Sequence, residues 1–447
     1  MIAAFVVLAA APSCGPLDLQ TALALAATRS DEVTIKQAEL LGAQADLAIA
    51  KAIGILPLSS ATFIVGPAPD AHGSYLDANS EFFRSIKGLG PFIRFDVNLV
   101  QPLWTWGQLT AAKDAAQAGV QAHGLSKDDT LHLVQLRVLQ TYWGVSLARR
   151  LLVLAGEIEG AVKDAERKIE ESLAAADGSV TLEDRYRVAI FKGELAQRKA
   201  EAQKGLKFAR AALAATLAAP EPGLVLKDEP LPASPDIRLP TEAEVSDEAQ
   251  RNRPDLRALD QAVLAYELQA KASWGAQLPQ LFAAGTFTYS RAWNRDIQLN
   301  PWIKDDFNQL SGGVAIGLRQ SLSFPTLHAQ EKKAQAEVVR LKAQREGMAR
   351  LVVLQAVQAL ADLQAAVDRH VAAQGSLSAG RAWFRSAGLN FGAGVSDARA
   401  VVDAYTAYAK SQADGAQTTY ELLLARGHLE QSMGRSLANG EATCVLP

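Results

Sequence analysis

The side chains capable of chemistry are thinly spread in this chain. Its six histidines, His72, His123, His132, His328, His370 and His428, share no spacing that would ligate a metal. No HExxH, phosphate-loop or CxxC motif occurs, and no group of Asp, Glu, His, Ser or Cys stands at catalytic spacing. These residues point away from an enzyme and from any resident metal or cofactor. A net charge of −3 excludes a strongly basic nucleic-acid surface. The two cysteines, Cys14 and Cys444, stand at opposite ends of the chain. They leave three readings open: an acylated Cys14, a Cys14–Cys444 disulfide in an oxidising compartment, or two unrelated thiols in frayed termini.

One set of polar residues does have a pattern. Arg94, Asp96 and Asn98 alternate with Ile93, Phe95, Val97 and Leu99. Bulky apolar groups on one face and charges on the other suit a membrane-barrel strand, with lipid outside and water inside. Val314, Ile316 and Leu318 alternate in the same way with Ala315, Gly317 and Arg319, and Phe287 and Tyr289 with Thr286 and Thr288. A soluble antiparallel sheet with one solvated face uses the same alternation.

The elements around these strands occur twice. The segments Ala27–Pro57 and Ala249–Pro279 both open at a turn-like stretch, continue as an amphipathic helix and stop at Leu-Pro, with the prolines 222 residues apart. Gln101 and Gln320, each close to a strand end, lie 219 residues apart. The spacing predicts a first repeat over 16–219, a proline-rich linker over 220–240, a second repeat over 241–437 and a short tail over 438–447. In the first copy we expect a helix near 25–57, strands at Ala61–Val65 and Phe92–Val100, a helix over Trp104–Ala174 and another over Leu182–Ala218. In the second we expect a helix over 243–278, strands over 281–289 and 312–320, and helices over 325–387 and 397–436. The long helix of about 70 residues would span roughly 105 Å, about what the two shorter helices of its repeat span end to end. Within it, Leu131, Val134, Val138, Tyr142 and Val145 form one apolar stripe. Leu133, Leu136, Gln140, Trp143 and Leu147 form a second, so the helix should pack neighbours on both sides.

The N-terminal run Ile2–Ala11, followed by small residues, predicts a secretory signal peptide over 1–13. Downstream no ~18 consecutive apolar residues occur, so no transmembrane helix is expected. Four strands per chain cannot close a barrel, and open edges are forbidden in hydrocarbon. Several chains would have to pool their strands.

With its duplicated Leu-Pro helix, its Gln101-Pro102-Leu103 running into Trp104-Thr105-Trp106-Gly107, and its Phe391-Gly392-Ala393-Gly394-Val395-Ser396 before Val401-Val402-Asp403-Ala404, the chain resembles the TolC-type outer-membrane efflux protein family from Leu17 to about Leu437. The resemblance implies an α+β membrane protein, internally duplicated, whose homotrimer forms a twelve-stranded β-barrel in outer-membrane lipid and a periplasmic α-helical barrel. It implies an exit duct of a tripartite efflux or type I secretion system in a Gram-negative bacterium. A periplasmic adaptor (membrane fusion protein) and an inner-membrane RND or ABC transporter would be its partners. Ile93, Phe95, Val97 and Leu99 would face lipid, and Pro102, Gly107 and Pro325 would mark the junction of barrel and tunnel. Gly178, Ser179, Val180, Gly392 and Gly394 would lie at the adaptor-contacting tip. Asp403 matches one of two pore-lining aspartates; the other position holds Ala400. Asp184 matches an acidic gate residue whose usual arginine partner is here Ser396, while Arg185, Asp397 and Arg399 stand near enough to form another lock. A soluble periplasmic coiled-coil adaptor or scaffold is the competing reading. It accounts for the helices but not for the matched strand pairs or the apolar N-terminus.

Overall fold

The computed structural model describes residues 15–74, 76, 88–175, 180–219, 225–232, 237–300, 302–393, 395 and 398–438. The predicted signal peptide, Cys14, Cys444, Gly178, Ser179, Gly394 and Asp397 lie outside them. The element order is α1 (Leu19–Arg29), α2 (Asp31–Ile55), β1 (Leu58–Pro69), β2 (Leu89–Trp104), α3 (Gln108–Ala175) and α4 (Leu182–Thr216), then α5 (Glu242–Asn252), α6 (Pro254–Gly275), β3 (Gln280–Ala292), β4 (Gln309–Arg319), α7 (Phe324–Gly392) and α8 (Ala398–Ser432). The same sequence of two helices, two strands, one very long helix and one shorter helix thus occurs twice. With 68 and 69 residues, α3 and α7 are each about 100 Å long at 1.5 Å per residue.

Where one leading helix per repeat was expected, there are two. Ser30 leaves helical geometry for an extended backbone (φ −67°, ψ 128°), and Arg253 does the same (φ −60°, ψ 122°). At Arg253 the cause is Pro254, whose ring excludes the α conformation from the residue before it. α1 opens on Asp18, which accepts the Thr21 amide at 2.8 Å. α5 opens on a capping box in which Thr241 and Glu244 each satisfy the other's backbone N–H. α7 runs five residues past its expected end, into the Gly388–Asp397 turn, because Ala393 N–H still reaches the carbonyl of Leu389 at 3.0 Å.

Packing divides the chain into two compact units, each drawn from both repeats: residues 1–40, 123–258 and 345–447 in one, and 41–122 and 259–344 in the other. The first unit holds twin apolar cores. Leu23, Ala26 and Val33 pack with Val134, Val138 and Tyr142 of α3 and Leu213 of α4. Val245, Ala249 and Leu256 pack with Val352, Leu360 and Leu363 of α7 and Leu429 of α8. Each fully buried side chain of this size contributes about 1.5–3 kcal/mol. The first predicted stripe of α3 is buried as expected from Val134 to Val145, whereas the second is redrawn. Leu133 and Gln140 are exposed, and Gln135 and Leu139 are buried in their place. Gln135 is held there by Ser436 Oγ and Leu437 N–H, both donating to its Oε1 at 3.1 Å.

Against the expectation of no transmembrane helix, α7 is long enough and contains an 18-residue window apolar enough, at mean hydropathy 1.3, to cross a membrane. Its apolar residues Val352, Ala356, Leu360 and Leu363 are used instead in the second core.

The second unit contains a four-stranded antiparallel sheet in the order β1-β2-β3-β4. β2 and β3 pair across the two repeats over twelve residue pairs, from Phe92↔Ala292 to Trp104↔Leu281. All four strands exceed or shift their expected limits, and β2 in particular continues through Pro102 to Trp104.

Candidate functional site: a two-faced sheet, its junction and the helical tip

Register sorts the sheet's side chains into two faces, because directly opposed residues of antiparallel strands point the same way. Phe95 stands opposite Phe63 on β1 and Tyr289 on β3, and Tyr289 opposite Leu310 on β4. Val97 stands opposite Ala61 and Phe287, and Leu99 opposite Gly285, which faces Val314. Apart from Arg291, opposite Ile93 near one end, this face is largely apolar across all four strands and open: Phe63 is 66 %, Ile316 73 % and Val314 92 % exposed. Phe95 and Phe287 meet edge to face, ring centroids 6.4 Å apart. The predicted Ile93, Phe95, Val97, Leu99 set therefore belongs to a continuous apolar surface.

The opposite face carries Ser60, Thr62, Asn98, Thr286, Thr288 and Ser311 around Arg94 and Asp96. Arg94 donates Nε and Nη2 to the two carboxylate oxygens of Asp96 at 2.7 and 3.1 Å, and Thr288 Oγ1 adds a third hydrogen bond at 2.9 Å. At the sheet end remote from α3, the β3–β4 connection folds onto this same polar face. Ser290 Oγ donates to the Asp306 carbonyl at 2.9 Å and accepts from Gln309 N–H at 3.1 Å. Phe307 packs on Phe92 at 5.4 Å with the Arg295 guanidinium 4.0 Å above its ring. Sequence reasoning missed Phe307 and Arg295, since nothing local says which face a loop will cover.

The hand-over from strand to helix is not at Pro102. That residue pairs with Phe282 inside the sheet, and the register slips between Pro102 and Trp104. Proline is tolerated there because the slip interrupts the ladder that its missing N–H would have joined. The chain instead passes from strand to helix at Trp106 and Gly107, both left-handed (φ 53° and 79°). Gly107 carries that conformation at no steric cost, whereas Trp106 is strained. Its indole Nε1 donates to the Pro279 carbonyl at 2.7 Å. Gln280 Nε2 reaches Gln108 Oε1 at 2.6 Å. A Cβ on Gly275 would lie 3.3–3.4 Å from Gln108 and the Trp106 carbonyl, so glycine permits the close approach. The Trp106-Gly107 dipeptide was the available signal; Trp106 itself was not singled out. In the second repeat Pro325 is the second residue of α7, where no intrahelical donor is needed.

At the other set of turns, α4 opens on a capping box between Thr181 and Asp184. The Asp184 carboxylate accepts Thr181 N–H at 3.0 Å and Thr181 Oγ1 at 2.8 Å. The Thr181 backbone N–H chiefly, with Arg187 and Arg399 farther off, holds the Asp184 acid below the usual carboxylate range. The predicted gate acid is thus committed first to its own helix. Asp403 pairs with Arg399 one turn earlier on α8 at 3.9 Å, both side chains more than half exposed. Such a pair contributes at most ~1 kcal/mol. Arg185 makes no ion pair among the described residues. Val180 packs partly against a third core formed by α3, α4 and Ala409, and Gly392 is the last residue of α7. The structure therefore pairs Arg399 with Asp403 and places Arg399 near enough to Asp184 to favour its ionised form.

Residues 245–435 match the family of outer membrane efflux proteins. Solved structures share the fold over nearly the whole chain at low sequence identity. The channel CusC is 16% identical, with 93% of this chain and 92% of that one covered and a TM-score of 0.75. The MtrE outer-membrane channel of Neisseria gonorrhoeae in its open state is 17% identical, with 95% and 90% covered and a TM-score of 0.72. The outer-membrane protein VceC of Vibrio cholerae is 15% identical, with 94% and 96% covered and a TM-score of 0.73. No curated protein matches the sequence. The fold is that of these outer-membrane channel structures. Within it, residues 245–435 carry the similarity to the outer membrane efflux proteins.

Proposed function

We propose that the protein is an outer-membrane exit duct of a tripartite efflux or type I secretion system, reaching from the outer membrane into the periplasm. The observation that carries this reading is the four-stranded sheet with one exposed apolar face, one polar face and two outer edges, β1 and β4. Hydrocarbon tolerates neither open edges nor unpaired backbone groups, so β1 of one copy pairs with β4 of the next until the barrel closes. Three copies supply twelve strands, a size within the range of outer-membrane barrels. Lipid then meets the Phe95–Val97–Leu99 face, and solute meets Arg94, Asp96 and Asn98.

The helices of the same three copies form the periplasmic tunnel, and the α3–α4 and α7–α8 turns form its tip. There Val180 and Gly392, with Gly178, Ser179 and Gly394, meet a periplasmic adaptor. Asp403, Arg399 and Asp184, with Arg185 and Asp397, line the gate. A duct of this kind does no covalent chemistry; an RND or ABC transporter in the inner membrane supplies energy and substrate choice.

The test is assembly. Expressed with its own leader in a Gram-negative host, the protein should fractionate with the outer membrane and run as a trimer in unheated detergent gels. A soluble periplasmic monomer would sink the duct and return the scaffold reading.

A further inference from the structure

We propose that the Arg94–Asp96 pair sets the charge selectivity of the β-barrel, with Asp96 cancelling a ring of guanidinium groups that would otherwise make the lumen attract anions. This rests on the duct reading. The four strands contain only four charged residues, Arg94, Asp96, Arg291 and Arg319, so Asp96 is their sole acid. Arg291 stands opposite Ile93, on the apolar face and one pair from the end of the β2–β3 ladder. Arg319 closes β4 at the opposite end, 5.0 Å over the Phe282 ring on the polar face. In the middle of that face the only strand charges are Arg94 and Asp96; Asp306, on the connection folded over its far end, is paired with Lys304 at 3.0 Å.

Their geometry is that of mutual neutralisation. Two residues apart on one strand, they share a face, and the guanidinium meets the carboxylate through two parallel hydrogen bonds. Thr288 from β3 occupies a further lone pair of the Asp96 Oδ1, so the carboxylate is held in place and not merely nearby. The Asp96 side chain is 17 % exposed and that of Arg94 37 %, so the arginine is the more open to passing solute. In a closed three-chain barrel the pair repeats three times at one height. Low-dielectric walls focus the field of unmatched charge inside such a tube. Removing the carboxylate leaves arginine as the only charge type on the strands' polar face. Removing the arginine leaves a ring of carboxylates.

The test uses the full-length protein and the variants Asp96→Asn, Arg94→Gln and Arg94→Gln/Asp96→Asn, each in planar bilayers under a KCl gradient. Asp96→Asn should raise the chloride-to-potassium permeability ratio about threefold or more, and Arg94→Gln should lower it comparably. The double variant should return close to the parent. Channels whose ratio is the same in both single variants and the parent would overturn the assignment and leave the duct intact. If the parent itself forms no channels, the duct reading fails and takes this inference with it. A pair that served only to brace the strand would alter trimer stability without moving the ratio.

Discussion

The Trp106 indole N–H is hydrogen-bonded to the Pro279 carbonyl across 173 positions of sequence. The bond ties the strand-to-helix turn of one repeat to the last residue before β3 of the other, and its donor is the first of the two left-handed residues between β2 and α3. Gly107→Ala would place a Cβ on a backbone at φ 79°, which costs about 1–2 kcal/mol. The expected outcome is a lower temperature for trimer dissociation in unheated-to-heated gel series. Trp106→Phe, which keeps an aromatic ring but loses the indole donor, should lower it less.

Val97→Arg should impair barrel assembly, because an arginine on the lipid face costs ~2–4 kcal/mol near the bilayer midplane. Asn98→Arg, one residue along and on the polar face, should assemble normally. The comparison is made on trimer yield from outer-membrane fractions. The face assignment fails if the two variants behave alike or in the reverse order.

Gly434 probes the joint between α5 and α6. Its φ is 79°, and a Cβ there would lie 2.7 Å from Arg253 N and from the Asn252 carbonyl group, which are backbone atoms that cannot swing aside. Gly434→Ala should therefore destabilise the fold by on the order of 2–4 kcal/mol. Denaturant unfolding of the purified protein would register this as a lower midpoint. An unchanged midpoint would mean the C-terminal end of α8 is not seated against Arg253 as described.

The Asp184 carboxyl is depressed by hydrogen bonds it accepts from Thr181, so the capping box gains stability only when that acid is ionised. The contribution is present above the ordinary carboxylate pKa and is lost as pH falls through the lower folded value. Amide exchange in the first turn of α4 should accelerate on acidification relative to the middle of that helix. Asp184→Asn should show the faster first-turn exchange at neutral pH already, and Thr181→Ala should cost about 1 kcal/mol locally.

Asp403 should matter for permeation and not for folding, since its side chain is 58 % exposed and its partner Arg399 is on the same helix. Asp403→Ala is expected to reduce block by trivalent cations in single-channel recordings while leaving trimer stability unaltered. Identical block in parent and variant would remove Asp403 from the gate.

Much of the architecture is written in local patterns that survive without the fold. The period-two alternation from Ile93 to Leu99, the apolar spacing from Val134 to Val145 and the recurrence of Leu-Pro at Pro57 and Pro279 each depend only on neighbours a few residues away. Physics reads these directly, because strand and helix faces follow from backbone geometry. For the same reason the sequence determined by itself that each repeat holds two strands and a helix far too long for a compact domain.

What only the tertiary structure decided involves partners distant in sequence. Whether β2 stops at Pro102 or runs on to Trp104 depended on Phe282 and Leu281 across the ladder. Gln135 replaced Gln140 in the core because Ser436 and Leu437 supply donors that make its burial affordable. Phe307 lies on the polar face because Ser290 and Phe92 hold it there. The candidate gate shows both limits: its acids were legible as Asp184 and Asp403, but only packing revealed that Thr181 claims the first and Arg399 the second. A side chain's type is a property of the sequence, whereas the group that satisfies it is chosen by whichever backbone the fold brings within 3 Å or so.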